Sequence, residues 1–304
     1  MAVEPTQDLP HRRSRLNYML AADVKACTRA ARDAAAKGTA MPKIITAALV
    51  IALGLASLPA SAARCKHTLE RSAELELEGA GIVEIYALAG DLRVRGRDDL
   101  TAVKAKGEGC VSKTDMLAEA GITIRRTGDR IQVLTELPDT SDEGDGRWED
   151  EFAVMDLEIE LPAGVGVVVH DSSGDLKVSH LASAEITDSS GRIQVEDIAG
   201  PVLIPQDSSG DIFMEHVGEV TIQVDSSGEI EIRDADAVTI ANDTSGDIIV
   251  RDIRGSVLIG NDSSGGISAR NVGGDLIVEN DTSGGINYER VTGNVSLPAY
   301  RQGD

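Results

Sequence analysis

Aromatic residues are scarce: one Trp, four Tyr and two Phe make up 2% of the 304-residue chain. So few rings leave little for sugars to stack on, which argues against the subsites of a polysaccharide-active enzyme. Basic residues are also in deficit, 29 Lys plus Arg against 51 Asp plus Glu, for a formal charge of −22. Such a field repels nucleic acid and anionic lipid, so nucleic-acid binding is excluded and cations are the ligands it attracts. Helix-period segments are missing from the C-terminal half. The apolar run Ile44 to Leu58 is too short and Ala-rich for a membrane span. No Ser-His-Asp spacing, metal box or phosphate loop is present.

What the chain does have is a repeat. Asp-(Ser/Thr)-Ser-Gly recurs from Asp171, Asp188, Asp207, Asp225, Asp243, Asp262 and Asp281, at spacings of 17, 19, 18, 18, 19 and 19 residues. Near-identical units at one period stack, each burying its apolar face against its neighbours. In the fifth unit Ile248 and Val250, then Val257 and Ile259, alternate with outward positions, the period-two mark of a half-buried strand. Two short strands and two turns per unit predict an all-β, single-stranded parallel β-solenoid of about seven 17–19-residue coils, stacked at ~4.8 Å. A left-handed hexapeptide helix needs an apolar residue every six positions, which is not seen. The calcium nonapeptide repeat needs a Gly/Asp cluster twice as often as one occurs.

Met41-Pro42-Lys43, the apolar run and Pro59-Ala60-Ser61-Ala62-Ala63 read as a signal peptide over 41–63, which predicts an exported protein, periplasmic or extracellular, with no integral membrane segment after cleavage. Residues 1–40 read as a mis-called upstream extension, or else as a long basic n-region. Without residues 1–63 the chain carries 47 acidic and 21 basic groups, a charge of −26. Cys27 falls in the leader, and an even pair in an exported chain predicts a disulfide between Cys65 and Cys110.

Residues 64–170 read as a less regular β-rich N-terminal cap ahead of the regular repeats of 171–304. Gly90 to Val94 followed by Leu100 to Val103 resembles a degenerate coil. Lys113 to Ala120 fits a short helix, and Thr127-Gly128-Asp129 marks a hairpin. The acidic stretch from Pro138 to Glu151 surrounds the single Trp148 and lacks EF-hand spacing.

Leu161-Pro162-Ala163-Gly164-Val165 leading into Asp171-Ser172-Ser173-Gly174-Asp175-Leu176 resembles the bacterial putative-adhesin (DUF4097) family of β-strand repeat proteins, related in plan to the head GIN adhesin-like domains. The Ser-Gly-Asp-Ile element recurs at Ser209 to Ile212 and Ser245 to Ile248, and the likeness spans roughly residues 70–300. It implies an exported β-solenoid with no catalytic residues and no defined ligand.

At the corner, Asp and Ser side chains can bond nearby backbone amides, and Gly accepts positive φ. Seven stacked carboxylates also repel, by roughly 0.9 kcal/mol per neighbour pair even in water, so a divalent ion such as Ca²⁺ is the alternative partner for Asp171, Asp188, Asp207, Asp225, Asp243, Asp262 and Asp281. Nine residues on, His180, Asp197, His216, Asp234, Asp252, Asn271 and Arg290 form a second column. It is either a charge ladder or, with the two histidines on the order of 10 Å apart, a poor metal site. The reading is a noncatalytic adhesin-like or envelope interaction module with an unidentified envelope or surface ligand. The alternative is a structural or regulatory envelope protein that binds divalent cations weakly, and a polysaccharide-active β-helix enzyme ranks third.

Overall fold

The computed structural model describes residues 65–140 and 151–299, all within the unit Leu58–Asp304. The leader at 41–63, the stretch 1–40 and the segment around Trp148 lie outside the described residues. The head contains β1 (His67–Glu76), β2 (Ile82–Tyr86), β3 (Leu92–Arg97), β4 (Ala102–Val111), β5 (Gly121–Thr127), β6 (Arg130–Glu136), β7 (Ala153–Pro162) and β8 (Gly166–His170). A 3-10 turn at Asp115–Ala118 sits where a short helix was expected. The repeats follow as β9 (Leu176–Leu181), β10 (Ser183–Thr187), β11 (Ile193–Ile198), β12 (Val202–Gln206), β13 (Ile212–Asp225) and β14 (Ile230–Asp243). They end with β15 (Ile248–Ile253), β16 (Val257–Asp262), β17 (Ile267–Val272), β18 (Leu276–Asp281), β19 (Ile286–Val291) and β20 (Val295–Ser296).

The predicted solenoid of about seven coils is what forms. One wall stacks β9, β11, the first half of β13, the first half of β14, β15, β17 and β19, every pair parallel and in register. The other stacks β8, β10, β12, the second halves of β13 and β14, β16, β18 and β20. Side chains face inward at a two-then-three spacing in both walls. Ile248, Val250 and Ile253 do so from the first, and Val257, Ile259 and Asp262 from the second, none more than 1% exposed. A coil is thus two similar arcs of seven to ten residues. One ends on an apolar residue, the other on the signature Asp.

This pattern explains the uneven period. The step from signature Asp to first inward residue never changes (Asp171 to Leu176, Asp262 to Ile267). The spare residue enters after the apolar corner, at Gly200-Pro201, Gly255-Ser256 and Gly274-Asp275. Where it is missing in the third and fourth coils, the chain runs through the corner as the 14-residue strands β13 and β14. The short first coil lacks the outward kink before Asp188, and the pairing of β10 with β12 slips there.

The head departs from expectation in one respect. β2 and β3 do form a coil, with Val83 beside Val167 and Leu92 beside Leu176. However, Leu100 to Val103 do not supply its second wall. The chain reverses at Asp98-Asp99, held by Arg97 to Asp99 and to Glu160, each at 3.0 Å. β4 then runs antiparallel between β1 and β7. β3 is left between β7 and β9, two strands that a plain coil would place in contact. The β5–β6 hairpin forms as predicted, and β6 joins the second wall beside β2. Cys65 and Cys110 form the expected disulfide across 45 residues, with Cα atoms 5.5 Å apart, pinning β1 to β4. Reduction should lower unfolding free energy by ~2–4 kcal/mol in a denaturant titration.

Each corner glycine is required by contact as well as by conformation. Gly174, Gly191, Gly210, Gly228, Gly246, Gly265 and Gly284 adopt φ of 121–141°. A Cβ on any of them would lie 1.4–2.1 Å from the carbonyl oxygen of the preceding glycine in the column. Gly228→Ala is therefore expected to cost about 3 kcal/mol or more, because two rungs must part. Gly79→Ala, at φ 82° with nothing within 4 Å, should cost about 1 kcal/mol. Equal losses in chemical denaturation would refute the stacking account.

Candidate functional site

Every position of the Asp-Ser-Ser-Gly corner has an atomic task. Asp171 Oδ1 accepts from Ser172 N at 2.8 Å, and Asp188 Oδ1 accepts from Ser189 N at 2.7 Å. The third residue ties rungs together through its hydroxyl. Ser190 Oγ donates to Ser172 O, Ser227 Oγ to Ser208 O and Ser245 Oγ to Ser226 O, at 3.2–3.3 Å. The glycine amide donates to the serine carbonyl of the next rung, as Gly228 N does to Ser245 O at 3.1 Å. The following Asp caps a neighbouring amide, Asp211 Oδ1 accepting from Glu229 N at 3.1 Å. The serine-hydroxyl and glycine-amide contacts repeat from coil to coil.

The seven signature carboxyls stack inside the corner rather than on its surface, 0–5% exposed. At Asp207, Asp225 and Asp243 neither oxygen makes a full hydrogen bond, although the amides of the next two residues face the carboxylate and pull its pKa down. Burial outweighs that pull. It pushes Asp171, Asp207, Asp225 and Asp243 up to about 7, with repulsion from a neighbouring Asp adding to it. Burial raises Asp188 as well. The column stops at the head coil, where Ala87, 6% exposed, takes the equivalent seat.

Chemically, Asp171, Asp207, Asp225 and Asp243 are carboxyl groups poised to hold protons near neutrality. Ca²⁺ takes about six to eight oxygens. Each rung offers one carboxylate with amide N–H groups facing it, so a cation would have to be shared between rungs. Among the described residues no three His, Cys, Asp or Glu side chains converge as a metal-holding group.

The second column lines the apolar corner, and its backbone was not foreseen. His180, Asp197, His216, Asp234, Asp252, Asn271 and Arg290 all adopt φ of 49–59°, a left-handed turn that lets the next residue point inward. Their side chains form a ladder. Asp197 lies 3.3 Å from both His180 Nε2 and His216 Nδ1, and His216 Nε2 lies 3.8 Å from Asp234. Arg254 pairs with Asp234 and, at 2.6 Å, with Asp236. Asn271 donates to Asp252 and accepts from Arg290. A third ladder escaped the sequence reading. Asn261 donates to Asn242 at 2.9 Å and Asn280 to Asn261 at 3.0 Å; the recurrent Asn before the signature Asp was its signal.

No protein-family model and no curated protein matches the chain. Solved structures do. A "putative lipid binding protein" from Parabacteroides distasonis ATCC 8503 is 16% identical over 75% of this chain and 97% of that one, with a TM-score of 0.40. A "putative adhesin" from Bacteroides fragilis NCTC 9343 is 13% identical over 77% and 98%, TM-score 0.37. Another from Parabacteroides merdae ATCC 43184 is 11% identical over 75% and 96%, TM-score 0.34.

The raised pKa values make stability depend on pH. Between the ordinary Asp value of 3.8 and about 7 the folded column holds more protons than the unfolded chain. The stabilisation is therefore complete below that window and lost as pH rises through it, by up to about 1.4 kcal/mol per carboxyl per pH unit. Melting temperature should be higher at pH 5 than at pH 8. Asp225→Asn with Asp243→Asn should raise it at pH 8 and do little at pH 5. A Ca²⁺-specific rise at pH 8 that these variants abolish would instead make the column a cation-bridged scaffold.

Proposed function

We propose that the chain is an exported, noncatalytic interaction module, adhesin-like in role, that engages an envelope or surface ligand through the outward face of its second wall. One observation carries this reading. Leu203, Thr221, Thr239, Leu258 and Ile277 stack in register on that face, half-buried and without a charge, in a chain of formal charge −22. Beside them run Pro205, Gln223, Ala241 and Gly260, the column ending on the charged Glu279, then the Asn242–Asn261–Asn280 ladder. Depletion of charge at the centre of a flat patch is the compositional sign of a contact surface. The first wall differs: its outward column of Lys177, Gln194, Phe213, Glu231 and Ile249 is interrupted by ions, and Arg233, Arg251 and Glu231 pair there at 2.6 and 3.4 Å.

Export fits the signal-like leader at 41–63 and the Cys65–Cys110 disulfide, which persists in an oxidising compartment. Rigid backbone at both corners suits presentation of a surface rather than closure over a substrate.

The test is binding of purified protein to isolated envelope fractions and to immobilised envelope glycans. Thr239→Lys with Leu258→Lys should weaken binding by roughly tenfold or more, ~1.4 kcal/mol, at unchanged melting temperature. Ile249→Lys on the first wall should leave it intact. Equal binding by both variants, or no binding to any fraction, overturns the reading.

A further inference from the structure

We propose that the C-terminal edge of the solenoid docks tail to tail against the same edge of a second copy of this chain, through β19. In the coil before it the inward residues Ile267, Ala269 and Val272 are at most 1% exposed. In the last coil Tyr288 occupies the seat of Ala269 and is 50% exposed, and Val295 is 36% exposed. β19 pairs only with β17, and β20 only with β18, among the described strands. Among the described residues the far edge of β19 thus has no strand partner and lies beside apolar side chains, the combination that templates strand addition.

The occupant follows from β19 itself. Antiparallel pairing of residues 285–289 about a two-fold axis at Asn287 keeps inward positions facing inward. Ile286 then lies opposite Tyr288 of the second copy, twice, an aromatic and β-branched pair of the favourable kind. Glu289 meets Gly285, so no like charges oppose each other. The left-handed residue Arg290 falls just outside the paired stretch, which leaves the strand regular where it must pair. The head edge does not compete for this seat. β1 runs antiparallel to β4 and carries Glu70, Arg71, Glu74 and Glu76, the charge blunting that discourages edge pairing. A tail-to-tail contact uses one patch on both copies and closes as a two-fold dimer instead of growing into a fibre.

Sedimentation of the full chain at physiological salt should show a concentration-dependent dimer. Tyr288→Lys should weaken it by roughly tenfold or more, with circular dichroism and melting temperature showing that the coil is still folded. Asn287→Cys, at the two-fold axis, should yield a covalent dimer under mild oxidation, whereas Leu88→Cys, exposed but remote, should not. A chain that stays monomeric up to sub-millimolar concentration overturns the proposal. So does a dimer indifferent to Tyr288→Lys, or one in which Asn287→Cys fails to cross-link.

Discussion

Parallel pairing in strict register governs everything else in this molecule, because it sets each residue upon its own counterpart one rung away. A side chain is tolerated in a column only if it can live beside copies of itself or beside a complement. Val and Ile meet that condition by packing. Asn meets it by being donor and acceptor at once, as in the Asn242–Asn261–Asn280 ladder. Like charges repel, and the left-handed corner relieves this in its first four rungs by alternation of His180, Asp197, His216 and Asp234. Where like charges do follow one another, as Arg233, Arg251 and Arg270 do on the first wall, they stand at the surface with Glu231 and Glu289 beside them. The signature Asp is the exception. It stacks on itself, out of water, and at Asp171, Asp207, Asp225 and Asp243 the carboxyls answer by retaining protons up to about pH 7.

That exception is intelligible from the two-arc construction of the coil. Asp262 fills the same kind of inward seat as Ile253, at the same spacing from the strand before it. The turns that follow differ. After Ile253 the chain bonds back to the previous coil through backbone carbonyls, Arg254 N to Ala235 O at 3.0 Å and Gly255 N to Asp236 O. After Asp171 and Asp188 the first serine amide turns inward and finds the carboxylate. In later coils the same amide donates to the backbone of the rung before it, Ser226 N to Asp207 O at 3.2 Å and Ser263 N to Asp243 O at 3.0 Å. Only at Asp171 and Asp188 would an apolar residue leave an amide unmet, at a cost of about 1–3 kcal/mol. At those two rungs burial of the carboxyl and satisfaction of the amide are opposed, and protonation relieves the first without wholly losing the second.

Much of this was written in the residue pattern. The coils, their two strands and the corner glycines followed from period-two alternation and an 18-residue repeat. The inward direction of Asp was legible too, since Val257, Ile259 and Asp262 repeat the spacing of Ile248, Val250 and Ile253; treating Asp as a surface residue by type hid it. The left-handed corner left a weaker mark than glycine would: six of its seven residues are His, Asp or Asn, the types enriched at positive φ, yet each is equally at home in an extended surface position. The head was not legible. That β3 slips between β7 and β9 depends on partners 65 and 84 residues away, as the Asp91–Asp156 and Asp175–Asp91 hydrogen bonds measure. No local preference encodes such a choice.

The same constraint also identifies what the fold does not require. Inward positions must be apolar or Asp, and the corner must be Ser-Gly. Outward strand positions carry no such demand. On the first wall they accept Lys177, Gln194, Phe213, Glu231, Ile249, Ser268 and Asn287 in succession, a sequence of side chains with no common chemistry. On the second wall the equivalent positions from Leu203 to Ile277 stay uncharged for five rungs. Stacking cannot be the cause, since the first wall stacks in the same way and admits both signs of charge. Solubility cannot be the cause either, because charge there would favour it. A partner surface meeting this wall, as proposed above, would account for keeping the strip neutral.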